Sequence, residues 1–231
     1  MAPMNDGKKS DPVDNVGLPN EKLIQRKQDW AREGKHLTGD AKAGAPLRRR
    51  LPPGQHETKK WPVLDLGVHP NLSTKDWTLT VGGNVANKIA WSWTDFMAQP
   101  QTTLTADIHC VTTWSLFGSD WQGVSARHLL SVVRPAPEIK FLVFHSHDGY
   151  TTNVPLAHFA AEDALLAHSW NGKPLGQEHG GPVRAMIPKL YFWKSAKWLK
   201  YILFSEKDIP GYWEVRGYHN VGDPWKEERY S

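Results

Sequence analysis

The apolar runs between residues 61 and 231 are short, differ in period and follow no regular order. Trp77–Val81 alternates apolar and polar residues before a Gly-Gly-Asn turn, which predicts a strand. Leu104–Cys110 and Phe141–Phe144 also predict strands, whereas Ser125–Val133 predicts a short helix that ends before an Arg-Pro pair. There are no internal repeats, and strands and helices do not alternate as in a Rossmann fold. The sequence therefore predicts an α+β fold with mixed or antiparallel sheets and short helices.

Other local patterns predict further short elements. Thr94–Met97 predicts a helix with Thr94 as its N-cap, and Leu156–Ala167 is also helical in character. His147–Gly149 predicts a turn. Further strands are predicted at Ile89–Trp93, Met186–Pro188 and Tyr201–Phe204.

Positive charge is concentrated at the start of the chain. Residues 1–60 contain 13 Lys and Arg against 8 Asp and Glu, whereas residues 61–231 contain 15 against 16. We therefore predict a polar, basic N-terminal arm over residues 1–60, with a short helix at Glu21–Glu33, and one folded domain over residues 61–231. The arm is either a solvated tail or a docking segment for an acidic redox partner. The folded part shows no basic motif for nucleic acid, so no nucleic-acid partner is expected.

The chain shows no pattern for membrane insertion or export. No stretch approaches the roughly 18 apolar residues that span a bilayer. Arg48–Arg50 is followed by Leu-Pro-Pro-Gly and not by an apolar run, so it is a poor twin-arginine signal. One cysteine allows no internal disulfide, which fits a reducing compartment. The expected location is the cytoplasm, without a membrane span.

Cys110 is the only cysteine in the chain. Such a residue is either a small buried hydrophobe or a reactive thiolate, and burial alone is the commoner case. No signature of a cysteine protease surrounds it, and zinc would need about four ligands, usually closely spaced. A single thiolate is sufficient for a redox metal only when a cofactor supplies the remaining ligands.

Two downstream segments are suited to an anionic ligand. In His179–Arg184, two glycines would let the backbone approach a ligand, and Arg184 offers a planar fork for phosphate. Lys194–Lys197 offers two cations, a hydroxyl and backbone N–H groups. Taken alone, His179–Arg184 is equally well explained as a loop with a surface arginine, and Lys194–Lys197 is more commonly a solvated charge cluster. Most of the 12 Trp are expected in the core, although Trp114 and Trp121 could line a pocket. A Trp-rich surface that binds carbohydrate by stacking is the non-catalytic alternative.

Taken together, these segments resemble the molybdopterin-binding domain of the sulfite oxidase family. Residues 61–231 are most similar to its short bacterial sulfite oxidase-like branch, which is related to the catalytic subunit of periplasmic methionine sulfoxide reductase. The resemblance rests on the order and spacing of five stretches: Trp77–Asn84, Asp107–Gly123, Ser146–Tyr150, Gly180–Lys197 and Gly211–Trp225.

The resemblance implies a sulfite oxidase-type fold, a molybdenum-molybdopterin cofactor and a role for each matching residue. It implies that the Cys110 thiolate ligates molybdenum and is the catalytic residue. His109 on the same strand would face away from it and be structural. The implied cofactor-binding residues are Asp65, His69, Ser146, His179, Arg184, Ser195, Ala196 and Lys197.

The implied activity is oxygen-atom transfer to or from a small molecule. Sulfite oxidases proper carry an arginine after the ligating cysteine, whereas Val111–Ser115 has no positive charge here. This departure favours an S-oxide or N-oxide substrate, with sulfite oxidation as the alternative. The chain lacks the family's C-terminal dimerisation and haem domains, so electrons are expected to pass to or from a separate redox protein.

Overall fold

The computed structural model describes residues 25, 28, 29, 50–67 and 69–230. The helix predicted at Glu21–Glu33 falls outside these residues except for Gln25, Gln28 and Asp29. Most of the N-terminal arm likewise falls outside them, so its boundary at residue 60 stays a prediction. Within the arm, the part from residue 50 onwards runs along the folded domain and pairs with one of its strands.

Eleven strands in the described residues form two sheets. In chain order their bounds are β1 His56–Glu57, β2 Thr78–Gly83, β3 Ile89–Ser92, β4 Gln101–His109, β5 Trp114–Ser125, β6 Phe141–Ser146, β7 Thr151–Pro155, β8 Leu165–Trp170, β9 Lys173–Pro174, β10 Arg184–Met186 and β11 Leu199–Ser205.

Both sheets are mixed. The first has the order β1-β5-β8-β10, with β4 also paired to β5 and β9 to β8, and the second has the order β3-β2-β11-β6-β7. The β1–β5 and β2–β11 pairs are parallel, and the other pairs are antiparallel. The predicted α+β class with mixed sheets and short helices is therefore confirmed.

The helices are short, and a capping box fixes where the first of them begins. Between residues 50 and 230 the α-helices are α1 Trp93–Met97, α2 Ala126–Val133 and α3 Leu156–Phe159. The prediction of Thr94 as the N-cap of α1 is wrong, because Ser92 occupies that position. The Ser92 hydroxyl accepts from the Asp95 N–H at 3.3 Å, and the Asp95 carboxylate accepts from the Ser92 N–H at 2.9 Å. This reciprocal capping box fixes the start of the helix two residues earlier.

The helix predicted over Leu156–Ala167 is also wrong beyond its first turn. It ends at Phe159, and β8 begins at Leu165 and lies between β5 and β10. Leu165, Leu166 and Ala167 are all fully buried, so the run shows no polar face that would reveal its period. The predicted strand at Met186–Pro188 lies two residues earlier, at Arg184–Met186.

The core contains two basic side chains beside its aromatic residues. Trp77, Trp121 and Trp198 are among the largest fully buried side chains, and Trp77 donates to the Leu199 carbonyl at 2.9 Å. Arg184 and Lys194 are equally buried. Charges are rarely buried without partners, and Lys194 is paired with Glu214 at 2.6 Å. Arg184 has no carboxylate partner among the described residues, so it marks the region where chemistry is expected. No helix among the described residues is long and apolar enough to cross a membrane.

Candidate active site

A cleft opens where the two sheets bring their strand ends and loops together. Its wall includes Cys110, which follows β4 directly, is 6% exposed, and has its sulfur 3.1 Å from the Thr112 hydroxyl. Aromatic residues form much of the remaining wall: Trp61, Trp114, Tyr150, Phe192, Trp193, Trp198, Trp213 and Tyr218.

Arg184 is a buried cation that lines the cleft from β10. Its Nη1 donates to the His179 carbonyl at 2.8 Å and its Nη2 to the Ser195 carbonyl at 2.7 Å. The guanidinium carbon lies 4.1 Å from the centre of the Phe192 ring and 5.5 Å from that of Trp61. No carboxylate among the described residues pairs with it, and burial lowers its pKa to about 9. An anion in the cleft would therefore stabilise this charge.

Lys197 and Asp65 form a second polar group on the cleft wall. The Lys197 Nζ lies 3.5 Å from Asp65 Oδ2 and donates to the Glu178 carbonyl at 2.6 Å. Burial, with the charge of Arg184, lowers the pKa of Lys197 to about 8. His69 does not line the cleft, but its Nε2 lies 2.7 Å from Asp65 Oδ2. Burial alone would raise the pKa of Asp65, but hydrogen bonds from the Gly67 N–H and His69, with the Lys197 charge, hold it below its usual value.

His179 lies behind the cleft wall. Its ring stacks on Trp61 with centroids 3.8 Å apart, and burial with the Arg184 charge lowers its pKa to about 4. The next two glycines serve internal packing and not approach to a ligand, which corrects the sequence-based interpretation. A Cβ on Gly180 would lie 2.9 Å from the Lys197 Cβ, and one on Gly181 would lie 2.3 Å from the Leu175 carbonyl.

Two serine hydroxyls complete the predicted set. Ser146 ends β6, is 5% exposed and lines the cleft, and its hydroxyl has no hydrogen-bond partner among the described residues. Ser195 accepts from the Ile187 N–H at 2.9 Å through its hydroxyl oxygen. The structure therefore brings to one cleft the side chains of seven of the nine predicted site residues: Asp65, Cys110, Ser146, Arg184, Ser195, Ala196 and Lys197.

Sequence reasoning missed several lining residues, among them Asp148 and Tyr150. Both follow β6 within Ser146–Tyr150, one of the stretches on which the resemblance rests, but only Ser146 in that stretch was assigned a role. The Tyr150 hydroxyl donates to the Trp193 carbonyl at 2.8 Å, and burial raises the pKa of Asp148 to about 6. The signal that could have found them is their place directly after Ser146, at the end of a buried strand.

Asp148→Asn is expected to stabilise the cofactor-free protein at pH 8 and to have a much smaller effect at pH 4. The carboxyl has a pKa of about 6 in the folded state against an ordinary value of 3.8. The unfolded chain therefore loses this proton first as the pH rises, and the folded state carries the whole cost above pH 6. We expect a difference of about 3 kcal/mol at pH 8 in the free energy of unfolding by urea.

The matched control is Asp120→Asn, which changes an exposed carboxylate outside the cleft. It is expected to shift the free energy of unfolding by less than about 0.5 kcal/mol at either pH. Equal stability of wild type and Asp148→Asn across this pH range would contradict the prediction.

A family match and two relatives all place this chain among oxidoreductases. Residues 66–213 match the oxidoreductase molybdopterin binding domain family. The uncharacterized oxidoreductase YuiH of Bacillus subtilis is 45% identical over 184 residues, which cover 79% of this chain and 92% of that protein. The protein-methionine-sulfoxide reductase catalytic subunit MsrP of Campylobacter jejuni is 26% identical over 167 residues, which cover 62% of this chain and 54% of MsrP.

A solved structure shares the fold. The sulfane dehydrogenase SoxCD from Paracoccus pantotrophus superposes with a TM-score of 0.54 at 24% identity, covering 60% of this chain and 40% of that chain. At this identity the likeness shows the fold alone. The resemblance found in the sequence is confirmed, and the non-catalytic alternative is set aside. The chain belongs to the oxidoreductase molybdopterin binding domain family, within the sulfite oxidase family, and is a molybdenum-dependent oxidoreductase whose cofactor is molybdenum-molybdopterin.

Proposed function

We propose that this enzyme reduces a neutral organic S-oxide or N-oxide, with Cys110 as the protein ligand of molybdenum. Two electrons and two protons convert such a substrate to the reduced compound and water. When bound, the cofactor supplies the oxygen-atom transfer, and the protein supplies binding, orientation and electrostatics.

The donor set of the cleft fits the cofactor. Arg184 is a buried cation that pairs with no carboxylate among the described residues. Ser146 offers a buried hydroxyl to the same cleft. These are the groups that the anionic and polar parts of a pterin would satisfy. Cys110 lines the same cleft and provides the one soft ligand that molybdenum would take from the protein. We propose that Ser195, Ala196, Lys197 and Asp65 complete the binding of the pterin, while His69 and His179 orient Asp65 and Arg184.

The observation that carries the choice of substrate is the absence of positive charge on the cleft wall next to Cys110. The residues after it that line the cleft are Val111, Thr112 and Trp114, all uncharged. Arg229 approaches this loop from the far end of the chain but donates to the Val111 carbonyl and is not part of the described cleft wall. A neutral, partly apolar substrate suits these surroundings better than sulfite does.

The test compares two assays on enzyme from a host that makes the cofactor, with about one molybdenum per chain. Reduction of methionine sulfoxide by reduced methyl viologen is expected to exceed oxidation of sulfite by ferricyanide at least about tenfold in kcat/KM. The reverse order would favour sulfite oxidation. In the loaded enzyme, Cys110 is expected to resist iodoacetamide, because a coordinated thiolate is a poor nucleophile.

The electron source is proposed to be a separate redox protein, as the name "catalytic subunit" suggests for the relative MsrP. The cytoplasmic location stays a prediction, to be tested by cell fractionation.

A further inference from the structure

The Cys110–Thr113 turn, which joins β4 to β5, adopts a conformation that its own residues disfavour. The Cys110 N–H donates to the Trp114 carbonyl at 2.8 Å, and the Thr113 N–H donates to the Cys110 carbonyl at 3.0 Å. Thr113 has a φ of 78°, in the left-handed region, where a β-branched side chain is strained. Strained backbone of this kind persists only where surrounding contacts hold it in place.

The first such contacts come from residues that precede the part of the chain that matches the family. The Gln55 side-chain amide donates to the Cys110 carbonyl at 3.0 Å, and its oxygen accepts from the Ser115 hydroxyl at 3.1 Å. The His56 N–H donates to the Thr113 carbonyl at 2.9 Å. Gln55 and His56 both lie before residue 66, where the family match begins.

A second contact comes from beyond the other end of the match. The Arg229 guanidinium donates to the Val111 carbonyl, and its Nη2 reaches the Pro53 carbonyl at 3.4 Å. Its central carbon lies 4.9 Å from the centre of the Tyr191 ring, and Tyr191 is fully buried. The two flanks of the chain therefore meet on the turn that carries the thiol, and Arg229 joins them.

We infer that Gln55 and Arg229 are positioning residues that hold the strained Cys110–Thr113 turn with its thiol on the cleft wall. We call these two residues the flanking clamp. Both act on backbone carbonyls of the turn and neither lines the cleft, so they act through Cys110 and not on substrate. The importance of the flanking clamp for catalysis rests on the proposed function, since it requires Cys110 to be the metal ligand.

The test measures how fast iodoacetamide alkylates Cys110 in the full-length, cofactor-free protein at fixed pH. Without the Gln55 hydrogen bond the turn opens more often, so Gln55→Ala is expected to raise the rate about tenfold, equivalent to 1.4 kcal/mol. Arg229→Gln is expected to raise it about fivefold, and it carries the test if Gln55→Ala fails to fold. Gln122→Ala, an exposed glutamine on β5, is the matched control and is expected to react at the wild-type rate.

A second substitution that restores the alkylation rate distinguishes a positioning role of Gln55 from a general loss of stability. Thr113→Gly relieves the left-handed strain, because glycine adopts this φ without cost, so adding it to Gln55→Ala is expected to return the rate to within about twofold of wild type. Urea unfolding of the same variants shows whether global stability follows the rate. A raised rate that Thr113→Gly leaves unchanged would overturn the inference.

The two proposals fail in different ways. If the wild-type protein binds no molybdenum, the proposed function is wrong, yet the alkylation rates still test the flanking clamp. If the protein holds molybdenum but Gln55→Ala and Arg229→Gln both react at the wild-type rate, the flanking clamp is wrong and the proposed function stands.

Discussion

Cys110→Ser is expected to lower turnover of the molybdenum-loaded enzyme at least about 1,000-fold, which corresponds to about 4 kcal/mol of barrier. A serine hydroxyl is a hard oxygen donor and a much weaker electron donor to the metal than a soft thiolate, so it is a poor replacement for the Cys110 ligand. The cofactor carries its own ligands and is held by other residues, among them Arg184 and Ser146. We therefore expect the pterin to remain bound while sulfur-to-metal charge-transfer absorption weakens.

Thr112→Val is the matched control for this substitution. It removes the hydroxyl that lies 3.1 Å from the Cys110 sulfur but keeps the thiol. Loss of this one hydrogen bond to the sulfur is expected to lower turnover about 10-fold, within the range measured for groups that support metal ligands. Wild-type turnover and absorption in Cys110→Ser would show that Cys110 is not the metal ligand.

Glu214→Gln is expected to lower the free energy of unfolding by about 3–5 kcal/mol, because it leaves the Lys194 cation buried without its anion. The Lys194 Nζ lies 2.6 Å from Glu214 Oε1, and neither side chain is exposed to solvent. Lys194 also donates to the side chain of Asn153 at 2.8 Å and to the Asn220 carbonyl at 2.6 Å. Burial lowers the pKa of Lys194 even though Glu214 opposes the shift.

The measurement is urea or thermal unfolding of the cofactor-free protein, in which the midpoint is expected to fall by about 6–20 °C. Glu162→Gln removes the same charge from an exposed pair with Arg127, in which Glu162 is 83% exposed, and is expected to cost less than about 1 kcal/mol. Adding Lys194→Met to Glu214→Gln is expected to restore part of the stability, since no unpaired charge then remains. If Glu162→Gln and Glu214→Gln lower the free energy of unfolding equally, the expectation that an unpaired charge costs more when it is buried is wrong.

This buried pair also bears on the site, because Lys194 directly precedes the cleft-lining residues Ser195–Lys197. Through Asn153 and Glu214 it ties that loop to β7 and to the 3-10 helix Glu214–Arg216. The sequence-based interpretation gave Lys194 and Lys197 a common role as two cations facing a ligand. The structure separates them: Lys197 lines the cleft, whereas Lys194 lies behind it and supports the loop.

Many of the polar and thiol groups of the cleft could be predicted from the sequence, because each motif carries its functional groups within a few residues. Cys110, Arg184 and Ser195–Lys197, which line one cleft, were all predicted as site residues in this way, and the α+β class followed from the irregular order of short elements. Those inferences need only residue types, spacing and a resemblance in the order of motifs.

Tertiary structure alone decided which of these groups share a cleft and what supports them. The predicted helix Leu156–Ala167 runs into the first three residues of β8, because a run buried on both faces hides its period. The burial of Arg184, the charge state of Asp148 and the contact of Gln55 and Arg229 with the Cys110 turn depend on residues far apart in the chain. Desolvation and hydrogen-bond geometry are properties of the assembled fold, so no window of sequence contains them.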